Sequence, residues 1–179
     1  MTEYARVYGG SLYDLAAEEQ LTAVILEEMT AIKGIFRENP DYLKLLSEPS
    51  ISKDERIKLI EDAFGNQVQR YLVSFLKLLC EKGILREYEG CTEEFTKRYN
   101  EDNNIAEAVV TSAVKLSDSQ LDALKSKLEN TVGKRVSIIN KIDASVLAGL
   151  KVELEGKQFD GTVQGRLTDI SKKINETII

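Results

Sequence analysis

The hydrophobic periodicity changes once along the 179-residue chain, and this change constrains the fold more than any other feature. In the first hundred residues, apolar side chains recur every three or four positions, which is typical of amphipathic helices. From Ile105 they alternate with polar side chains, as in a half-buried strand. Residues 100–104, Asn-Glu-Asp-Asn-Asn, separate the two patterns and contain no apolar side chain. We therefore predict a mainly α protein of two domains, a helical bundle at 1–104 and a small α+β domain at 105–179.

Helix start and stop signals divide the first part into six segments. Pro40 and Pro49 interrupt the helical pattern, because proline and the residue before it disfavour helical geometry. Ser52 and Glu55 have the spacing of a capping box, and Gly65 stands where a helix commonly ends. The predicted helices are one near 4–16 and then 18–37, 41–47, 53–64, 67–82 and 84–100. This succession predicts a compact six-helix bundle.

The helix predicted at 67–82 is apolar around most of its circumference. Either it is the central rod of the bundle, or one of its sides is left for the helix of a partner. The first helix carries a strip of small side chains beside which another helix can approach, unless Gly9 and Gly10 break that helix. We predict that some members of one set line a groove for a partner helix, while others are ordinary core. The set is Ala5, Gly9, Leu12, Leu72, Phe75, Leu76 and Leu79.

The second part combines strand and helix signals. After the first strand, predicted at 105–114, Ser117 and Gln120 form a second capping box, and Gly133 ends that helix. A second strand is predicted around 136–142 and a turn at Ala148–Gly149. The closing segment is predicted as a strand at 150–156, a tight turn at 157–161 and an amphipathic helix at 162–179. The apolar stripe of that last helix is Val163, Leu167, Ile170, Ile174 and Ile178.

The side chains that most often carry catalysis or bind metals are scarce. The chain has no histidine, which removes the usual general base near neutral pH and the commonest metal ligand. Gly156 and Gly161 have the spacing of a phosphate-binding loop, but Thr162 and Val163 replace its required Lys and Ser/Thr. Neighbouring carboxylates point about 100 degrees apart on a helix and are expected to be solvated. We therefore predict no catalytic residue, no cofactor and no metal.

Charge and cysteine content limit the partners and the compartment. Residues 1–104 carry 13 basic and 20 acidic side chains, and the remainder carries 11 and 10, so no basic tract indicates nucleic-acid binding. Cys80 and Cys91 form no CxxC pair and are expected to be reduced thiols in a cytoplasmic protein without a signal peptide. The longest apolar run, 71–80, is too short to cross a membrane. Any association with a membrane is expected to come through partners.

Several sequence segments resemble one protein family. They are Leu-Leu-Ser-Glu-Pro at 45–49, Glu-Lys-Gly at 81–83, Ile-Asp-Ala-Ser-Val-Leu-Ala-Gly-Leu at 142–150, and Phe-Asp-Gly-Thr-Val-Gln-Gly-Arg-Leu at 159–167. On these segments the whole chain resembles the delta subunit of the bacterial F-type ATP synthase, a relative of the oligomycin-sensitivity-conferring protein. The last segment keeps the pattern Asp-Gly-Ser-Val-Arg-Gly-Arg-Leu of many members, except that Thr162 replaces a serine and Gln164 replaces an arginine.

The resemblance implies a non-catalytic stator subunit, present as one copy in a hetero-oligomeric complex. It implies that the bundle holds the N-terminal helix of an alpha subunit between its first and fifth helices, and that the second domain meets the b-subunit stalk. It also implies a place at the cytoplasmic face of the cell membrane, without insertion into it. Two other readings stay open on the residues alone. One is an unrelated cytoplasmic adaptor that binds a helix, and the other is an enzyme that uses carboxylates.

Overall fold

The computed structural model of the chain describes residues 2–146, 149–154 and 156–161. The chain divides into two compact units, Met1–Tyr99 and Asn100–Ile179. The described elements are α1 (Glu3–Glu18), α2 (Thr22–Glu38), α3 (Pro40–Leu46), α4 (Lys53–Phe64), α5 (Arg70–Glu81), a 3-10 turn (Leu85–Glu87), α6 (Tyr88–Asp102), β1 (Ile105–Ser112), α7 (Asp118–Val132), β2 (Arg135–Ile142), β3 (Leu150–Leu154) and β4 (Lys157–Asp160). The prediction of a mainly helical chain with a small sheet is confirmed.

Three helices begin at least three residues later than predicted. The chain stays helical to Glu18 and turns at Gln20, whose φ is 59°, so α2 begins at Thr22 instead of residue 18. α5 begins at Arg70, three residues later than predicted. The last helix begins at Tyr88 instead of residue 84, because a 3-10 turn comes first. Apolar periodicity continues through all three junctions, and so the sequence does not reveal where the backbone leaves helical geometry.

Both predicted capping boxes are confirmed. The Ser52 hydroxyl accepts from the backbone N–H of Glu55 at 3.3 Å, and the Glu55 carboxylate accepts from the backbone N–H of Ser52 at 3.2 Å. Ser117 and Gln120 make the same reciprocal pair at the start of α7. Each box satisfies two N–H groups that the first helical turn leaves without an intrahelical partner. Local sequence therefore fixes the start of α4 and of α7.

The first unit packs its helices around one continuous apolar core. Aromatic rings meet inside it: Phe36 lies 5.3 Å from Tyr88 between ring centroids, in an edge-to-face arrangement, and Tyr13 meets Phe95 at 5.1 Å in the same way. The Tyr88 hydroxyl donates to the Met29 carbonyl at 3.2 Å, so this buried polar group is satisfied. The large side chains with almost no exposed surface include Ile25, Met29, Ile32, Leu46, Ile60, Leu72, Leu76, Leu79, Leu85, Tyr88 and Phe95.

The second unit contains a four-stranded sheet with the order β2-β1-β3-β4. β1 and β2 are parallel and are connected through α7, whereas β3 is antiparallel to both β1 and β4. One sheet face packs against the apolar stripe of α7, because alternate residues of a strand point to the same face. The fully or nearly buried residues there are Ala106, Ala108, Val110, Leu116, Val136, Val152 and Leu154.

The closing segment differs from its prediction in the part that the structure describes. Residues 157–160 were predicted as a turn, but they form β4, in which Lys157 pairs with Leu154 and Asp160 with Lys151. The reversal comes earlier, at Gly156, whose φ of 76° suits a residue without a Cβ. Of the predicted turn at 148–149, only Gly149 is described. The predicted helix 162–179 with its stripe lies outside the described residues.

Candidate partner-binding surface

All seven residues predicted around a partner groove are buried in the first unit. The set is Ala5, Gly9, Leu12, Leu72, Phe75, Leu76 and Leu79. The buried faces of α1 and α5 therefore contribute these positions to the core of this chain. The prediction that a partner helix contacts α1 and α5 is not tested by this burial, because both helices also have exposed apolar residues.

The small side chains of α1 are explained by the close approach of α6. A Cβ added to Gly9 would lie 2.5 Å from the Cys91 carbonyl oxygen and 3.0 Å from its Cα. A Cβ added to Gly90 would lie 2.8 Å from that of Ala5. Side chains larger than hydrogen would force the two backbones apart at both points. Small residues do allow a helix to come close to α1, as the sequence indicated, but that helix belongs to the same chain.

A second stripe of α1 is uncovered. Tyr4, Val7, Ser11 and Leu15 recur at three- and four-residue intervals and therefore share a face. Tyr4 is 59% exposed, Val7 52% and Leu15 36%. Exposed apolar side chains that lie singly need no explanation, whereas several on one helix face make that face a candidate interaction surface. Tyr4 and Leu15 were predicted to share a helical face, whereas Val7 was not identified from the sequence.

α5 has one narrow strip outside its buried face. Leu78 is 37% exposed, Ser74 is exposed, and Tyr71 is partly buried. These positions are three, four or seven residues apart and therefore lie on one side of the helix. Every other apolar residue of α5 is buried. Of the two readings of this helix, the structure supports a core helix that leaves one apolar edge uncovered.

An ion-pair network joins α1 to α6 beside the α1 stripe. The Arg98 guanidinium donates from Nε to Glu94 at 3.0 Å and from Nη1 to Asp14 at 3.0 Å. A Cβ added to Gly10 would lie 2.5 Å from Nη2 of Arg98, so the guanidinium crosses α1 directly above this glycine. The pKa of Arg98 is raised, chiefly by its hydrogen bond to Glu94. The carboxylate of Glu94 is almost completely buried.

A separate cavity of about 790 Å³ lies among α2, α3, α4 and the segment after α4. Its apolar lining includes Val24 and Ile35 of α2, Tyr42 of α3, and Val68. Val24 and Ile35 are both substantially exposed. The first unit therefore has an apolar concavity on α2 besides the exposed stripe of α1, and a test of partner binding has to distinguish the two places.

The described side chains do not form a metal site. No three His, Cys, Asp or Glu residues come together within 2–146, 149–154 and 156–161 in a way that could hold a metal ion. Burial raises the pKa of the Cys91 thiol to about 12, and burial also raises that of Cys80, although Arg56 opposes this. A thiol with a raised pKa is a poor nucleophile at neutral pH. Both cysteines are buried and free.

Comparisons with known proteins extend over nearly the whole chain. The family profile described as ATP synthase delta (OSCP) subunit matches residues 4–174. A protein named ATP synthase subunit delta from Lachnoclostridium phytofermentans is 34% identical over 95% of this chain and 94% of its own length. A protein of the same name from Clostridioides difficile is 31% identical over 97% of both chains.

A likeness among solved structures supports the fold. One chain in the cryo-EM structure of the Toxoplasma gondii mitochondrial ATP synthase hexamer matches 97% of this chain and 98% of its own, with a TM-score of 0.74. The sequence identity is 15%, so this match supports the fold alone.

Proposed function

Since the chain belongs to the ATP synthase delta (OSCP) subunit family, we propose that its helical unit binds the N-terminal helix of an alpha subunit and its α+β unit binds the b-subunit stalk. The family is a structural one, so the protein is a non-catalytic stator subunit of the rotary ATP synthase and takes part in ATP synthesis and ion transport. The readings of an unrelated adaptor and of a carboxylate enzyme are thereby wrong.

The observation that carries the proposal for the alpha subunit is the uncovered apolar stripe of α1. Tyr4, Val7 and Leu15 lie along three turns of one helix face, and α5 has an exposed apolar side chain of its own, Leu78. An amphipathic helix that docks on another protein uses anchors at this spacing. Burial of large apolar side chains supplies roughly 25 cal/mol per Å² of apolar area removed from water. The side chains of α1 that contact the partner are therefore the exposed ones, beside the buried set predicted from the sequence.

A stator subunit has to be stiff, and this requirement applies to the helical unit. A stator holds the head still against the torque of the rotor, and a joint that slipped would uncouple ion flow from ATP synthesis. The six helices at 3–102 share one packed core, and we propose that they act as a single bundle. Packed interiors have low compressibility and transmit strain. A bundle of this kind passes force from the alpha subunit to the stalk without chemistry of its own.

A further part of the proposal concerns the boundary between the two domains. We assign the head-binding function to 1–104 and the stalk-binding function to 105–179. Limited proteolysis is expected to cut near Asn103–Asn104, where helix ends and strand begins, and to release a stable helical fragment. A first cut inside 10–95 would contradict this boundary.

We also propose that the protein lies at the cytoplasmic face of the cell membrane, held there by the rest of the complex as one copy among different subunits. Among the described residues, no helix has the length and apolarity needed for a membrane crossing.

The test is a titration of the full chain with a peptide of the alpha-subunit N-terminal helix. We expect Val7→Glu to weaken binding by at least about 2 kcal/mol, which is the level of an interface hot spot, with little change in the melting temperature. The matched control is Val24→Glu, because Val24 is similarly exposed but lines the separate cavity on α2. If Val24→Glu weakens binding and Val7→Glu does not, the helix docks in that cavity and the assignment to α1 is wrong.

A further inference from the structure

Arg98 occupies an unusual place between α1 and α6. It belongs to α6, yet its guanidinium lies across the backbone of α1 at Gly10 and reaches Asp14 one turn further along. A Cβ at position 10 would come within 2.7 Å of the guanidinium carbon, so this path exists only because residue 10 is glycine. Glycine in a helix interior has a cost, because its helix propensity is lower than that of alanine. Its position under Arg98 gives a structural reason for that cost.

The other end of the guanidinium is anchored in α6. Nε donates to Glu94, whose side chain is 6% exposed, and the second carboxylate oxygen of Glu94 has no hydrogen-bond partner among the described residues. A buried carboxylate holds its cation strongly, because separating the two would leave a charge unpaired in a poorly solvated place. The pair with Glu94 therefore fixes the position of the Arg98 side chain on α6. From that position the guanidinium contacts α1.

The contact with α1 borders the exposed apolar stripe. Val7, Gly10 and Asp14 are three and four residues apart, so they lie in one row along the helix. Val7 belongs to the stripe, and the next two positions of that row are the ones that Arg98 covers and pairs with. The packing at Gly9 and the contact of Tyr13 with Phe95 hold the buried face of α1 in the core, so only small rotations of α1 about its own axis are left for contacts at the edge of that face to resist. An ion pair at the edge of the helix restrains these rotations.

We propose that Arg98 is a positioning residue, which sets the rotation of α1 through Gly10 and Asp14 and so presents Tyr4, Val7 and Leu15 to the partner helix. This inference rests on the proposed function of the stripe. Arg98 does not need to touch the partner. Its effect is to keep a binding face pre-organised, which raises affinity by removing the cost of ordering that face during binding.

The sharpest variant is Gly10→Ala in the full chain. The added methyl group displaces the guanidinium, which is the end of a flexible side chain, and alanine improves helix propensity. We expect the melting temperature to stay the same or rise while the dissociation constant for the alpha-subunit N-terminal peptide increases about three- to tenfold, the size of one lost charged contact. A purely structural role for Arg98 would instead lower the melting temperature and leave affinity unchanged.

A double-mutant cycle separates positioning from a direct effect of charge. Asp14→Ala removes the α1 end of the ion pair but leaves Arg98 paired with Glu94 in α6. If both variants act through Arg98, the double variant Gly10→Ala/Asp14→Ala binds no more weakly than either single variant. Asp41→Ala is the matched control, since Asp41 forms an exposed pair with Lys44 within α3, and its loss is expected to leave affinity unchanged.

Each outcome decides between the two claims. Wild-type protein that fails to bind the peptide overturns the proposed function, and the inference falls with it. Wild-type binding that Gly10→Ala leaves unaltered, or that the two substitutions weaken additively, overturns the inference and leaves the proposed function standing. A fall in the melting temperature that accompanies the loss of affinity in Gly10→Ala also overturns it.

Discussion

The two units of this protein bury different kinds of side chain. The first unit encloses whole aromatic rings and long aliphatic chains, and its α1 and α6 touch backbone to backbone at Gly9. The described core of the second unit consists mainly of alanine, valine and leucine on one face of a four-stranded sheet. The free energy of unfolding that is lost when a buried apolar group is removed scales with the area and the volume of that group. The helical unit therefore has more to lose from a single substitution than the sheet does.

This difference bears on how a stator carries load. A unit that excludes water from a continuous aromatic core opens only in a large cooperative step, whereas a thinner layer between one sheet face and one helix opens at lower cost. We therefore expect the helical unit to be the stiffer of the two in the part that the structure describes. The following substitutions test this comparison, beginning with the largest expected effect.

Phe95→Ala tests the depth of the helical core. Phe95 is fully buried and packs edge to face against Tyr13, so its removal is expected to lower the free energy of unfolding of the first unit by about 3 to 5 kcal/mol. The measurement is urea unfolding followed by thiol labelling, since both cysteines of the chain lie in this unit. Val110→Ala, at a fully buried site in β1, is the comparison and is expected to cost the second unit less; its unfolding is followed by circular dichroism, because residues 100–179 contain no cysteine. Equal losses in the free energy of unfolding would show that the core of the first unit does not contribute more per substitution than that of the second.

Gly9→Ala tests the contact between α1 and α6. The added Cβ meets backbone atoms that cannot rotate away, so we expect a loss of about 1 to 3 kcal/mol in the stability of the first unit. Gly34→Ala is the control, because Gly34 of α2 has open space where the Cβ would lie and gains up to about 1 kcal/mol of helix propensity. Thermal unfolding of both variants measures the two effects. A stabilising Gly9→Ala would show that the helices separate without cost.

Sequence reasoning works where the signal is local. The capping boxes at Ser52 and Ser117 could be predicted because both partners lie within four residues, and the structure contains both. The turn predicted at 157–161 is wrong for a reason that lies outside its own segment. Residues 157–160 pair with β3, and the local pattern of polar side chains does not reveal this pairing. Hydrogen bonding across the hairpin overrides local turn propensity.

The candidate partner-binding surface of α1 and α5 shows the same limit of prediction from local sequence. Periodicity identified α5 as a helix with more apolar surface than one contact covers and α1 as a helix with a strip of small side chains, and it gave Gly9 a packing reason. It could not show which helix fills the space above Gly9, because Cys91 is distant in the sequence. The residues chosen for the groove were therefore the buried ones, and exposed Val7 was missed. The path of Arg98 over Gly10 depends on three-dimensional placement and left no sequence signal.

The same substitution at one helix cap in each unit compares the two units without a difference in side-chain chemistry. Ser52→Ala in α4 and Ser117→Ala in α7 each delete one hydroxyl that accepts from a backbone N–H, and each is expected to cost about 1 kcal/mol. Urea unfolding with separate readouts for the two units gives both values. If the α7 cap costs clearly more than the α4 cap, the second unit depends on its single described helix more strongly than core size alone predicts.

The smallest expected effect concerns charge, and it asks whether ion pairs contribute to the stability of the helical unit. Lys33, and then Arg37, hydrogen-bond to Glu89 and hold the pKa of that carboxyl below its ordinary value. A folded-state pKa below the unfolded one stabilises the fold at pH values above the unfolded pKa, and this contribution is lost as the pH falls through the folded pKa. Because Glu89 is 49% exposed, solvent screening limits it to about 1 kcal/mol or less.

We therefore expect Glu89→Gln to lower the free energy of unfolding slightly at pH 7, and the difference from wild type to shrink toward pH 3.5 and at high salt, which screens exposed charges. Urea unfolding of both proteins across this range measures it. Glu93→Gln is the matched control, since Glu93 lies 3.9 Å from the Lys33 ammonium and makes the weaker contact. A difference that does not shrink as the pH falls would assign the effect of Glu89 to packing, because protonation removes the charge of the carboxyl and leaves it as neutral as an amide. A difference well above 1 kcal/mol at pH 7 would mean that the helical unit owes its stability to charge as well as to its core.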